Sequence, residues 1–398
     1  MTNIKRLFAA VLMLASALAL AQETIRPEVG KPLQAAQDLL RSGKYKEALA
    51  KVREADAVGN RTPYESFILD RMRGSAAAGA GDEATAIKSF ESALASGRLQ
   101  GAERMTVLEA LAGSAYRAKD YAKALEWTQR YFKEGGSSAQ MSNLQTSAHY
   151  LSGDYAGVVR DMQRKVQAVE RSVPVVDETT LRMLAASYAK LGDDAGYMNT
   201  LEKLLVYHPK KEYWADMLSR LPNKPGFSER LALDVYRLKL VTGALDDTDQ
   251  YLEMAQLALQ ASLPSEAKRV VDAGYAAGKL GTGVDAERHK RLRDLANKQA
   301  VEDDKTLTAE VVGRSAEALV NIGLALVSAG RSDKGIELIE HGIAKGGLKR
   351  PEEARLHLGE ALLASGKKPK AVEAFKAIKG SDGVGDLARL WAIFAAQP

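Results

Sequence analysis

Few side chains in this sequence are suited to chemistry. There are five histidines, His149, His208, His289, His341 and His357, and no cysteine, which excludes a thiol nucleophile, a thiolate zinc site and a disulfide. Glu337 lies one helical turn before His341, and His357 lies one turn from both Glu353 and Glu360. Such pairs are common on exposed helix faces, and neither has the His-Glu-x-x-His spacing that presents two imidazoles to zinc. No metal and no other cofactor is therefore expected. Gly79-x-Gly81-x-x-Ala84, Gly281-x-Gly283-x-x-Ala286 and Gly383-x-Gly385-x-x-Ala388 match a loose dinucleotide fingerprint. That chemistry needs a strand before the glycines so that phosphate meets a helix N-terminus; no convincing strand precedes any of them, and helix-to-helix turns explain all three. A Gly-Lys-Ser/Thr phosphate loop and a Gly-x-Ser-x-Gly elbow are both missing. The remaining place for acid and base to converge is Tyr207 to Trp214, where a carboxylate could meet His208 between helix ends, as in a hydrolase subunit.

The elements around these residues are set by a recurrence. Short turn signals begin at Gly43, Gly81, Lys119, Gly153, Gly192, Ser262, Gly330 and Gly366. The first five are 38, 38, 34 and 39 residues apart and the last two 36 apart, a period that indicates a helical array. Seven residues before each signal stands a small residue: Ala36, Gly74, Ala112, Thr146, Ala185, Ala255, Gly323 and Gly359. Five residues after it the residue is usually small again, and four further on Val52, Phe90, Val271, Ile339 or Phe375 follows. These offsets describe an antiparallel helical hairpin with small residues where the backbones cross and bulky ones filling the gaps. One hairpin buries too little, so each must stack on the next. Two helices near 211–220 and 228–241 form an irregular hairpin between regular ones. Val284 to Asp304 reads as one longer, highly charged helix, and Asp386 to Ala396, with Leu387, Leu390, Trp391 and Phe394, as an amphipathic helix that caps the last groove.

The pattern of small residue, Gly-Asp-Tyr turn, Ala, then Phe or Val is similar to the tetratricopeptide repeat (TPR) family. Gly74 to Ala93 and Ala112 to Trp127 resemble it best, with Ala318 to Ile378 close behind. The resemblance implies an all-α fold, a TPR-like right-handed superhelical solenoid of antiparallel helix hairpins. It also implies that first helices line a concave face that binds a protein or peptide without intrinsic catalysis. Tyr116, Arg117, Asn143, Tyr150, Arg182 and Lys190 are the expected contact residues, Tyr and Arg being the side chains that recur at interface hot spots. Some members clamp a carboxylate terminus with spaced Lys and Asn. Gln37, Gly113 and Ser147 stand here where the clamp Asn would be sought, so that mode is not expected.

Composition bounds the rest. The 398 residues are 46% hydrophobic and 27% charged, enough for a large core and unlike a disordered chain. Residues 1–21 read as a secretory signal, with Lys5 and Arg6, an apolar run from Leu7 to Leu18, and the Ala19-Leu20-Ala21 cleavage pattern. Cleavage after Ala21 would deliver a periplasmic protein. The alternative is an uncleaved inner-membrane anchor, but the apolar run is short for a bilayer, so no stable membrane span is expected after the signal is removed. Net charge is +5 and falls to +3 without the leader. Basic and acidic residues alternate rather than forming a cationic face interleaved with aromatics, which excludes a nucleic-acid partner. The expected organisation is a signal peptide at 1–21, an array over 22–283, a charged helical linker at 284–312, and C-terminal repeats with a capping helix over 313–398. The expected function is a scaffold or adaptor for a cell-envelope protein or peptide. A structural subunit that self-associates or docks through its C-terminal helix is the alternative, with exposed Trp391 and Phe394 as its docking residues.

Overall fold

The structure, a computed structural model, describes residues 24–172, 175–307 and 313–397; the expected leader lies outside them. No helix among the described residues is long and apolar enough to cross a membrane. The described residues form twenty α-helices and two short 3-10 turns, with no strand, so the three glycine fingerprints fall in helical surroundings. The chain divides into two compact units: the first is Met1–Pro174 with Ala186–Asp193, and the second is Val175–Ala185 with Asp194–Pro398. Residues 284–307, the described part of the expected linker, belong to the second unit.

In the first unit, four hairpins follow one another: α1 (Pro27–Arg41) with α2 (Tyr45–Asp56), α3 (Pro63–Ala80) with α4 (Glu83–Ala95), α5 (Gly101–Arg117) with α6 (Tyr121–Lys133), and α7 (Ala139–Leu151) with α8 (Tyr155–Ser172). Helix α9 (Glu178–Leu191) is divided between the units. The second unit continues with α10 (Asp194–Tyr207), α11 (Lys211–Arg220), α12 (Ala232–Val241), α13 (Thr248–Gln260), α14 (Pro264–Ala276), α15 (Ala286–Thr306), α16 (Ala316–Ser328), α17 (Ser332–Lys345), α18 (Pro351–Ala364), α19 (Lys368–Ala377) and α20 (Val384–Ala395). The charged segment near 284–304 is the helix α15, which packs on α14 and buries Ala296 and Ala300.

Each turn signal does the same backbone work. All eight positions have positive φ, between 58° and 82°, which reverses the chain after the first helix and leaves its last carbonyls bonded in the turn. Lys119 and Ser262 hold this conformation without being glycine, at a steric cost of about 1–2 kcal/mol each. After Gly81, Lys119 and Gly153 the Asp that follows caps the second helix: the backbone N–H groups of Thr85, Lys123 and Gly157 donate to Asp82, Asp120 and Asp154 at 3.1, 3.0 and 2.9 Å.

The small and bulky positions of the repeat meet each other. A Cβ on Gly74 would lie 2.6 Å from the Phe90 ring, one on Gly323 2.6 Å from Ile339, and one on Gly359 2.4 Å from Phe375. Bulky residue and small residue are sixteen positions apart in every case, so one hairpin geometry recurs in both units. The closest crossing is α16 on α17, where a Cβ on Gly335 would come within 2.5 Å of the Gly323 carbonyl oxygen. Backbone cannot yield as a flexible side chain can, so Gly335→Ala is expected to destabilise the protein by about 1–3 kcal/mol. A lowered urea midpoint checks this; an unchanged midpoint would mean that the two helices separate at no cost.

Candidate functional site

The expected contact residues are distributed unevenly. Asn143 and Tyr150 are exposed on α7, Tyr150 retaining 44% of its accessible surface. Tyr116 is half-buried at the end of α5, its ring 5.8 Å from Tyr121 in an edge-to-face contact. Tyr150 repeats this arrangement with Tyr155 at 5.7 Å, so one aromatic pair sits at the turn of each of two successive hairpins. Each tyrosine thus packs locally and presents the rest of its surface to solvent. Arg117 is exposed but engaged, its guanidinium donating to Glu83 at 2.5 and 2.9 Å and to the Ser114 hydroxyl at 3.0 Å. Lys190 and Arg182 are both exposed on α9, the first assigned to the first unit and the second to the other. The structure therefore brings Tyr116, Arg117, Asn143 and Tyr150 onto the neighbouring helices α5 and α7.

Beneath Tyr150 lies an imidazole between carboxylates. His149 is buried, with Nδ1 2.7 Å from an Asp154 oxygen and Nε2 3.9 Å from Asp161. A Cβ on Gly157 would strike Nδ1 at 2.2 Å, so glycine leaves the space the ring occupies. Burial raises the Asp161 carboxyl above its ordinary range, whereas the Gly157 N–H holds that of Asp154 below.

Near Tyr207 to Trp214, the imidazole of His208 is engaged by backbone. The His208 Nε2 lies 2.6 Å from the Val176 carbonyl oxygen, a contact that pins the end of α10 to the segment before α9. The nearby Glu178 carboxylate accepts from Lys210 at 2.7 and 2.8 Å and from the Tyr213 hydroxyl. Burial and that carboxylate together push Tyr213 up to about 12. These groups hold the helix ends together in a strut.

A buried polar cluster lies where spacing along one helix did not point. Asp234 and Arg237 on α12, Glu266 on α14, and His357 and Glu360 on α18 meet inside the second unit, the Asp234 side chain being 4% exposed. The Arg237 guanidinium reaches Glu266 twice at 2.8 Å, Asp234 at 2.7 Å and Glu360 at 3.4 Å. Asp234, His357 and Glu360 bring three ligand-type atoms within 4.8 Å of one another, but the guanidinium already supplies positive charge there. In the sequence His357 and Glu360 read as an ordinary pair on one helix face; the rest of the cluster comes from α12 and α14, more than ninety residues earlier.

The C-terminal helix bears on the docking alternative. Trp391 is 3% exposed, stacked on Phe375 at 5.8 Å with 13° between the rings and edge-on to Phe394 at 6.0 Å. Phe394 continues to Trp214 of α11 at 6.2 Å. Lys224 bonds Asp386 at 2.7 and 2.9 Å, and Arg389 reaches Glu202 of α10 at 3.1 Å. Trp391, which the docking alternative would leave exposed, is buried by packing within the second unit and Phe394 is half-buried, because α20 covers apolar surface of α19 and α11 alike.

Models of the tetratricopeptide repeat match residues 33–98, 71–139 and 320–384, and another model of the same repeat matches 180–211. No curated protein sequence matches the chain. Among solved structures, the chain is similar to a tetratricopeptide repeat protein from Parabacteroides merdae at 13% identity, over 84% of this chain and 99% of that one, with a TM-score of 0.33. It is also similar to the C-terminal part of a TPR repeat-containing protein from Cytophaga hutchinsonii, at 15% identity over 67% of this chain and 93% of that one, TM-score 0.32. The TPR2AB domain of yeast Sti1 in its pHSP90 complex aligns at 14% identity over 75% of this chain and all of its own length, TM-score 0.25. Repeat models covering about half of the chain, together with a hairpin geometry that recurs from Gly74 to Phe375, show that the chain belongs to the tetratricopeptide repeat family.

Proposed function

We propose that the protein is a scaffold or adaptor that binds a protein or peptide of the bacterial cell envelope through its first unit, after export and cleavage of residues 1–21. The observation that carries this reading is the pair of neighbouring helices α5 and α7, which present Asn143, Tyr150 and the solvent side of Tyr116 while α6 and α8 complete the hairpins behind them. Large amphipathic rings on a rigid array lose little entropy on contact and give area with directed hydrogen bonds. Arg117 contributes by orienting the Tyr116 end of α5 through Glu83, and Lys190 adds positive charge in the same unit. Arg182 is a separate contact point on the other part of α9. In the second unit the facing sides of α12 and α18 are spent on one another, which leaves the first unit as the better binding surface.

The test is in-cell crosslinking of tagged protein followed by mass spectrometry, with Tyr116→Ala, Asn143→Ala and Tyr150→Ala combined in one variant and Arg182→Ala in another. The wild type is expected to capture a partner that the triple variant loses by about tenfold or more, as several hot-spot truncations of at least 1 kcal/mol each would produce. Equal capture by a triple variant with unchanged circular dichroism would sink the assignment to this face.

A further inference from the structure

Arg230, Asp234 and Arg237 stand at i, i+4 and i+7 along the 3-10 turn Glu229–Leu231 and α12, and Glu353, His357 and Glu360 follow the same steps along α18. The six side chains meet rung by rung. Arg230 donates to Glu353 at 2.8 Å, His357 lies 3.0 Å from Asp234, and Arg237 donates to Glu360 at 3.4 Å. Each rung joins residues 123 positions apart, so the two stripes run parallel and in register. One stripe reads positive, negative, positive, and the other reads negative, imidazole, negative. A slip by one turn would set Asp234 against a glutamate and an arginine against His357, which is how alternating charge specifies register. The middle rung holds the imidazole, a group that takes up or releases a proton in the neutral range.

We propose that this three-rung zipper is a proton-operated clasp: with His357 and Glu360 protonated the second unit is closed on itself, and loss of those protons separates α18 from α12 and frees their facing sides. Charge balance supports it. His357 is faced by Asp234 and Arg237 from α12 and by Glu360 from its own helix; behind Arg237 lie Glu266 and Arg269 of α14, the latter donating to the Ser328 carbonyl. Among the five groups joined around Arg237 and His357, with Arg269 lying beyond Glu266 and held on the Ser328 carbonyl, ionised Asp234 and Glu266 are neutralised by Arg237 and a protonated His357, and an uncharged Glu360 adds nothing. Each proton removed then leaves an unbalanced negative charge in a buried site, a state that relaxes most readily by admitting water. The local chemistry agrees in direction. Burial pushes the Glu360 carboxyl up to about 8, and its buried Oε1 has no hydrogen-bond partner. For His357, burial acts downward, but the Asp234 carboxylate outweighs it and the net shift is upward. For Asp234, burial acts upward and is outweighed by His357 and Arg237, so it stays ionised. Two folded groups thus keep protons that their exposed forms release earlier. Raising pH from the ordinary carboxylate range to about 8 therefore weakens the closed form.

The test is hydrogen exchange of the full chain from about pH 6 to about pH 9, corrected for intrinsic chemistry and referenced to amides of α3 to α6 in the first unit. Amides of α12 and α18 are expected to exchange about tenfold or more faster at the alkaline end relative to the reference, one pKa unit of differential binding being a factor of ten. Glu360→Gln, which keeps the shape without the titration, is expected to remove most of that dependence, and His357→Gln part of it. Glu353→Gln, which weakens an outer rung, is expected to lower protection at every pH while leaving the dependence on pH unchanged. Wild-type protection that does not vary with pH would overturn the clasp, as would Glu360→Gln retaining the full dependence. Zinc chloride restoring wild-type protection at the alkaline end would overturn it too, in favour of a cation site.

Discussion

Arg237→Met is expected to destabilise the second unit by about 3–5 kcal/mol, the range for removing one partner from a buried ionic network. The guanidinium is the cation shared by Asp234, Glu266 and Glu360, and its own side chain is 12% exposed. Methionine fills much the same length but leaves three carboxylates facing one another in a space that water reaches poorly. They relieve the repulsion by taking up protons, so the loss is expected to be larger at about pH 8 than at about pH 5. Urea unfolding in a Trp127→Phe background reads this, because Trp214 and Trp391 then report on the second unit alone. A loss below about 1 kcal/mol at both pH values would mean that the network is solvated and that Arg237 acts as an ordinary surface cation.

Trp391→Ala is expected to cost about 3–5 kcal/mol, the usual loss for truncating a buried large aromatic. Its ring is the middle of a chain that runs from Phe375 on α19 through Phe394 to Trp214 on α11. Truncation opens a cavity and removes the stacked partner of Phe375, so α20 loses its hold on α19 and the Phe394 contact to Trp214 weakens with it. Deleting residues 386–398 is expected to lower the melting temperature further, since it also removes the Asp386 and Arg389 ion pairs. A deletion that left melting unchanged would restore the view that this helix exists to dock elsewhere. Thermal denaturation of the two variants beside the wild type decides between these.

Much of the hairpin architecture was legible from spacing. A small residue seven before the turn and a bulky one nine after it are interpretable because both belong to one hairpin, whose geometry depends on helical rise and a positive-φ turn. Gly74 with Phe90, Gly323 with Ile339 and Gly359 with Phe375 are that inference realised as contacts. The capping aspartates at 82, 120 and 154 were legible for the same reason, since a cap acts over three residues. Tyr150 and Asn143 were singled out by their place on a first helix, where both are exposed, but the engagement of Arg117 with Glu83 was not legible, because that contact crosses from one hairpin to the next.

What sequence order carried on its own is therefore local: helix ends, the crossing points within each hairpin, the absence of thiol chemistry, and the family pattern. Tertiary structure decided which charged side chains became a buried network and which rings stayed exposed. His357 has carboxylates on its own helix, yet its hydrogen-bonded partner is Asp234, 123 residues earlier. Trp391 and Phe394 read as part of a cap, with a docking edge as the alternative, and only the contacts with α19 and α11 bury Trp391. The physical reason is that small rotations accumulate from one repeat to the next. Spacing defines each hairpin, but the place where distant helices meet depends on the sum of every rotation between them.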